Sequence, residues 1–259
     1  MSDQTPDKKS DKNSKKNVIV FALLLSVICS LMITAAAGGL KRFQVANMEL
    51  DKKINILKAA NLIGQKKPSK NKINALYDTH IKEVLIDGQG KIIESHASNS
   101  LNLYLFQEDD QEDALINGYI LPINTRGLWG KIQGYLAFEN DGQTISGFSV
   151  FSHSETPGLG GEIESAWFQK NFKGKKILNS QNKFVSVGIA KGKVSNLPED
   201  RQSHYVDGIS GATLTGRYLS QGIKKTLIKY DSVSIIFRQK QLKTKKMSPN
   251  KDIDPKDSK

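Results

Sequence analysis

Two polar, Lys-rich ends bracket the chain, and between them the spacing of hydrophobic positions changes twice. Residues 18–40 carry no charge and include the run Val18-Ile19-Val20-Phe21-Ala22-Leu23-Leu24-Leu25. That is enough to cross a hydrocarbon core of about 30 Å, for which roughly 20 helical residues suffice. Met48, Ile54, Leu57 and Ile63 then suit a helix continuing from this span, with Pro68 as its limit. Beyond it the pattern shortens to strands. Val84-Leu85-Ile86, Asp87-Gly88-Gln89-Gly90 and Ile92-Ile93 read as a hairpin, and Tyr119 to Ile123 as an edge strand ended by Pro122. A second hairpin is predicted over 133–150, turning at Asn140-Asp141-Gly142-Gln143. Residues 164–172 suit a short helix burying Trp167 and Phe168, and 184–190 a strand. Leu214, Leu219, Ile223 and Leu227 mark a longer helix, and Val233-Ser234-Ile235-Ile236-Phe237 a closing strand. Helices and strands mix without βαβ alternation or an internal repeat, which predicts the α+β class: one N-terminal transmembrane helix and one mixed domain. The expected divisions are a polar tail at 1–17, the span at 18–40, the domain at 41–238 and a basic, disordered tail at 239–259.

Charge sharpens this picture. The net charge of +12 invites a nucleic-acid reading, but the tails hold half of it: five Lys against three Asp in 1–17, and seven Lys against three Asp in 239–259. Such tails are solvated or lie near anionic headgroups, so no nucleic-acid partner is expected. The single cysteine, Cys29, lies inside the apolar run, which excludes an internal disulfide framework and a Cys-built metal site. Ala35-Ala36-Ala37 before Gly38 has the small-residue look of a signal cleavage site. The apolar run exceeds a signal core of about 7–15 residues, however, and a retained anchor is the reading adopted. Lys8, Lys9, Lys12, Lys15 and Lys16 precede the span while Lys41, Arg42, Lys52 and Lys53 follow it. This slight bias places the N-terminus in the cytoplasm and the domain outside. Residues 107–113 are rich in Glu, Asp and Gln but lack calcium-loop spacing, and read as a solvated loop or helix start.

Chemistry concentrates in three places. Gly127-Leu128-Trp129-Gly130 is the first. The second is Ser154-Glu155-Thr156-Pro157-Gly158-Leu159-Gly160-Gly161-Glu162, too rich in Gly and Pro for a helix or regular strand, and so a loop with accessible backbone. The third is Asp207-Gly208-Ile209-Ser210-Gly211-Ala212-Thr213, with a hydroxyl where a helix begins. A helix start can stabilise a phosphate through unpaired N–H groups, but Ser or Thr beside Gly is also how an ordinary cap looks. Of the four histidines only His153, beside the loop, merits a test, and a structural role would suffice for it.

The third stretch resembles the flavinylation motif of the FMN-binding domain family. Together with Gly127 to Gly130, the loop through Glu164, and Trp167, it is similar to the NqrC family, the C subunits of the sodium-translocating NADH:quinone reductases, over about residues 18–237. The resemblance implies covalent FMN, joined by a phosphoester to Thr213, in a flavoprotein subunit that relays single electrons from NADH toward ubiquinone within a sodium-exporting translocase of the inner membrane. Its partners would be the A, B, D, E and F subunits, with a flavin transferase using FAD during maturation. Ser210, Gly211, Ala212, Thr215, Glu155, Thr156, Pro157, Gly158, Leu159, Gly160, Leu128 and Trp129 would surround the cofactor, and Asp207 would serve transferase recognition or loop shape. No residue need act catalytically and no metal is implied. Thr215 is a competing hydroxyl that spacing alone does not exclude, and Trp129 and Trp167 have core roles open to them. The alternatives are the FMN-bearing G subunit of the related Rnf electron-transport complex, an outer-surface flavin reductase with the same domain, and a non-redox anchored module.

Overall fold

The computed structural model describes residues 15–64, 68–95, 99–107 and 115–247. Two units divide the chain between Glu49 and Leu50. The first holds most of helix α1 (Lys15–Ala59), whose apolar residues from Val18 to Met48 are largely exposed. By length and composition this helix can cross a membrane. The expected tail at 1–17 lies almost entirely outside the described residues.

The second unit is built on a six-stranded antiparallel sheet. Its strands are β1 (Ile81–Ile86), β2 (Ile92–Ile93), β3 (Leu101–Gln107), β4 (Ile116–Arg126), β5 (Lys131–Glu139) and β6 (Ile145–Ser152), in the order β2-β1-β3-β4-β5-β6. Both predicted hairpins form: Leu85 pairs with Ile93, and Leu136 with Phe148. Asp141 closes the second turn by accepting from the N–H groups of Gln143 and Thr144.

Both faces of the sheet are covered. Tyr119, Leu121 and Ile123 of β4 and Ile132, Leu136 and Phe138 of β5 join one core, while Ile120, Tyr135 and Ala137 join another with Ile54, Ile56 and Leu57 of α1. This corrects the reading of residues 119–123 as an edge strand. A strand buried on both faces shows a continuous apolar run, as β4 does, and Pro122 sits in its middle. The ladder to β3 stops at Ile120, two residues before this non-donor, while that to β5 continues to Arg126.

Helix α2 (Lys70–His80) has no signature in the hydrophobic pattern, because only Ile73 and Tyr77 are buried along its polar length. After β6 come a 3₁₀ turn (Gly160–Glu164), α3 (Ala166–Lys170), β7 (Gly188–Ile189), a second 3₁₀ turn (Val194–Asn196), α4 (Glu199–Gln202), β8 (Tyr205–Val206), α5 (Thr213–Lys229) and α6 (Asp231–Met247). In α3 Phe168 is buried as expected, but Trp167 is 45 % exposed and its indole N–H reaches Glu162 Oε2 at 3.3 Å, so it is no core residue. The strand expected over 184–190 shrinks to β7, paired in parallel with β8, because Ser186 takes a left-handed φ of 67°.

The closing strand over 233–237 is instead the first turns of α6. Val233, Ser234 and Phe237 are buried at helical spacing while Ile235 is exposed, a period that five apolar residues cannot reveal. Helix α6 runs to Met247, so the tail boundary drawn at 239 falls inside it. Of the acidic stretch, Gln107 ends β3 and the remainder lies outside the described residues.

Candidate functional site

A buried carboxylate joins the three stretches that carry chemistry. Glu155 is 4 % exposed; its Oε1 accepts the Trp129 backbone N–H at 3.0 Å, and its Oε2 accepts the Thr215 hydroxyl, itself 2 % exposed. The turn after β4, the loop after β6 and the first turn of α5 therefore meet on one side chain. A charged acceptor with two donors satisfies the rule that buried charge must be hydrogen-bonded. Such close convergence needs Gly160, where a Cβ would lie 2.5 Å from Thr215 Oγ1 and 2.9 Å from Glu155 Oε2.

The loop backbone is held from two sides. The Glu155 N–H donates to His153 Nδ1 at 3.1 Å, which puts the ring proton on Nε2, facing Glu164 Oε2 at 3.3 Å. Thr156 O accepts from the N–H groups of Leu159 and Gly161 and folds the loop on itself. His153 thus has the structural role left open for it.

The approach to α5 is fixed by Asp207, whose Oδ1 accepts the Val194 N–H at 2.7 Å and whose Oδ2 pairs with Lys193 Nζ at 2.9 Å. The Val194 N–H first, and Lys193 second, hold this carboxyl below the usual carboxylate range. Gly211 then turns the chain at a φ of 74°, a conformation that costs a side-chain-bearing residue energy. The N-cap position is Ala212, which has no side chain able to cap. Thr213 is the first helical residue, exposed, and its hydroxyl makes no hydrogen bond among the described residues. The two candidate hydroxyls are therefore in opposite states: Thr215 is buried and engaged, Thr213 exposed and free.

A cavity of about 340 Å³ lies where these pieces meet, lined by Leu128, Trp129, Leu159 and Leu214, with Glu155, Thr156, Gly160 and the residues 211–213 and 215. Trp129 stands 68 % exposed at this site and is not core. Leu214, counted among the apolar positions of the helix, also lines the cavity, whereas Leu219, Ile223 and Leu227 face the core. Ser210, Pro157 and Gly158 are exposed and do not line the cavity. A larger depression of about 830 Å³, lined by Lys176, Asn179 and Arg201 among others, carries none of the motif residues.

The family model of the FMN-binding domain matches residues 127–228, a range that runs from the turn before β5 almost to the end of α5. The C subunit of the Na(+)-translocating NADH-quinone reductase from Vibrio campbellii is 31% identical over 239 residues, 80% of this chain and 88% of the relative. Its counterpart from Haemophilus ducreyi is 30% identical over 243 residues, 83% of this chain and 91% of the relative. The crystal structure of the corresponding subunit from Parabacteroides distasonis superposes with a TM-score of 0.63 at 29% identity, over 75% of this chain and 96% of that one. That of NqrC from Shewanella oneidensis, at 20% identity and a TM-score of 0.60, shares the fold. With relatives at this identity aligned over most of both chains, the protein belongs to the NqrC family, the C subunits of the Na(+)-translocating NADH-quinone reductase.

Proposed function

We propose that this chain is the membrane-anchored flavoprotein subunit of a sodium-translocating NADH:quinone reductase, with FMN esterified to the Thr213 hydroxyl. The observation that carries the reading is the contrast between the two hydroxyls: Thr213 is exposed at the cavity while Thr215 is spent on Glu155. The residues present fit the group. A volume of about 340 Å³ lies within the usual range for ligand sites, and Leu128, Trp129, Leu159 and Leu214 offer apolar surface to a planar ring. The N–H groups of the first turn of α5, left without a side-chain cap, suit a phosphate.

FMN supplies the electron-carrying chemistry when bound, and the protein supplies position and electrostatics. Glu155 holds the loop and the Trp129 turn against α5, and Asp207 fixes the approach to Thr213. In attachment, the Thr213 hydroxyl would lose its proton to water and its oxygen would form the new bond to the flavin-side phosphorus of FAD, while the pyrophosphate bond breaks and AMP departs. A separate flavin transferase would assist this step. The A, B, D, E and F subunits would be the redox and translocating partners, and the sodium export belongs to the assembly. The apolar part of α1 would be a single-pass anchor in the inner membrane with the domain on its outer face, as the lysines before the span suggest.

The test is a denatured, washed gel band. Flavin fluorescence should be present in the wild-type chain expressed with the transferase, and absent from Thr213→Ala or when the transferase is missing. A fluorescent Thr213→Ala band would sink the assignment.

A further inference from the structure

A second cavity, of about 350 Å³, opens on the other side of Thr213. Its walls are the segment 185–191, His204 with Tyr205, and one face of α5, and of the described residues lining the first cavity Thr213 is the one that also lines this one. Along α5 it presents Thr213, Arg217, Ser220, Gln221 and Lys224, which recur at three- and four-residue intervals and so share a face. Lys191 faces them from the opposite wall. Among the described residues, three Lys and Arg cations line this cleft and no Asp or Glu does. Arg217, Lys224 and Lys191 form no ion pair among the described residues, and Asp207 is engaged by Lys193 and the Val194 N–H. The first cavity has the opposite character: apolar walls, one buried carboxylate and no cation.

We infer that this cleft is a phosphate subsite, with Arg217 as its principal ligand and Lys224 and Lys191 as supporting charges. The inference rests on the FMN reading and deepens it: the two cavities divide a flavin phosphate between ring and anion, and they meet at the residue that is esterified. Arg217 is four residues after Thr213, so the two side chains are neighbours on the helix surface, about 5–6 Å apart at Cβ. A guanidinium matches phosphate oxygens with two parallel donors, which a lysine cannot do. A phosphodiester on Thr213 keeps its negative charge at all physiological pH, and the cleft neutralises it. In a chain that lacks the ester the same cations would discriminate free FMN from riboflavin, which has the same ring and no phosphate.

The test removes the ester and keeps the cleft. Full-length Thr213→Ala in detergent is titrated with free FMN and with riboflavin, following quenching of flavin fluorescence. FMN should bind on the order of tenfold more tightly, since it carries close to two negative charges and partly exposed charge pairs each contribute modestly. Inorganic phosphate should compete with FMN and leave riboflavin unaffected, and the preference should shrink as salt shortens the Debye length from about 8 Å toward 3 Å. Adding Arg217→Gln and Lys224→Gln should abolish the preference. Lys225→Gln with Lys229→Gln, on the same helix but outside the cleft, should preserve it. Equal affinity for the two flavins, no binding of either by about 1 mM, or an equal loss in the Lys225/Lys229 variant would overturn the inference. Covalent flavin in the wild-type chain with no FMN preference would overturn the cleft alone, whereas covalent flavin in Thr213→Ala would overturn the FMN reading.

Discussion

Replacing each of the two threonines at the start of α5 by valine, which keeps its shape, should produce opposite phenotypes. In Thr215→Val the Glu155 Oε2 loses its donor where little surface is open to replace it, since the two residues are 2 % and 4 % exposed. Leaving a buried charged acceptor half-satisfied costs about 2–3 kcal/mol. For a unit of this size that lowers the melting temperature by roughly 5–10 °C. The same change at Thr213 removes an exposed hydroxyl that makes no hydrogen bond among the described residues, and should stay within about 0.5 kcal/mol of the wild type. Flavin should follow the reverse order: Thr215→Val keeps a fluorescent band after denaturation and Thr213→Val loses it. Glu155→Gln makes the acceptor neutral, so Thr215→Val in that background should cost about 1–2 kcal/mol less than alone. The assay is thermal unfolding of the full chain in detergent by near-UV circular dichroism, beside gel fluorescence of the same preparations. A Thr215→Val variant as stable as wild type, or one without coupling to Glu155→Gln, would refute the view that this carboxylate ties the site together.

Two further changes probe how α5 is placed. Asp207 has a folded pKa below its ordinary value of 3.8, so its stabilisation is complete above about pH 5 and lost as pH falls through the folded value. Wild type should exceed Asp207→Asn by about 1 kcal/mol at pH 7 and by nearly nothing at pH 2, and a gap that stays constant in melts at pH 7, 4 and 2 would contradict this. Gly222→Ala would put a Cβ 2.0 Å from Thr125 Oγ1 and should cost about 1–3 kcal/mol by urea denaturation, part of it recovered with Thr125→Gly. An unchanged midpoint would show that the contact yields freely.

The candidate site was legible where the chain is punctuated and hidden where distance matters. Three Gly and one Pro within 157–161 forced a loop, and the resemblance singled out Leu128 and Trp129, which line the cavity with it. Nothing local shows that Glu155 turns inward, because its partners lie 26 and 60 residues away. That Thr215 is buried and Thr213 exposed was closed to spacing for the same reason. In the fold, hairpins with Asp-Gly turns announced themselves, since their hydrogen bonds are local. The stretches 119–123 and 233–237 were misplaced because a short apolar run reports burial without direction: in β4 it meant two covered faces, and in α6 one helical face. The basic cleft had no signature either, its cations being ordinary surface residues until α5 and the segment 185–191 face each other.

The contacts along α5 also set its rotation. Gly216, where a Cβ would meet Ile189 Cγ2 at 3.1 Å, and Gly222, seated on Thr125, index the helix against its neighbours as teeth index a gear. Thr213 lies three residues before the first tooth, so its bearing is decided by residue count. One residue inserted between them would rotate Thr213 by about 100° and shift it by about 1.5 Å, away from the junction of the two cavities. The length of that turn is therefore as constrained as the side chains of Thr213 and Thr215, and a change of length there would silence the site while leaving the rest of the helix packed.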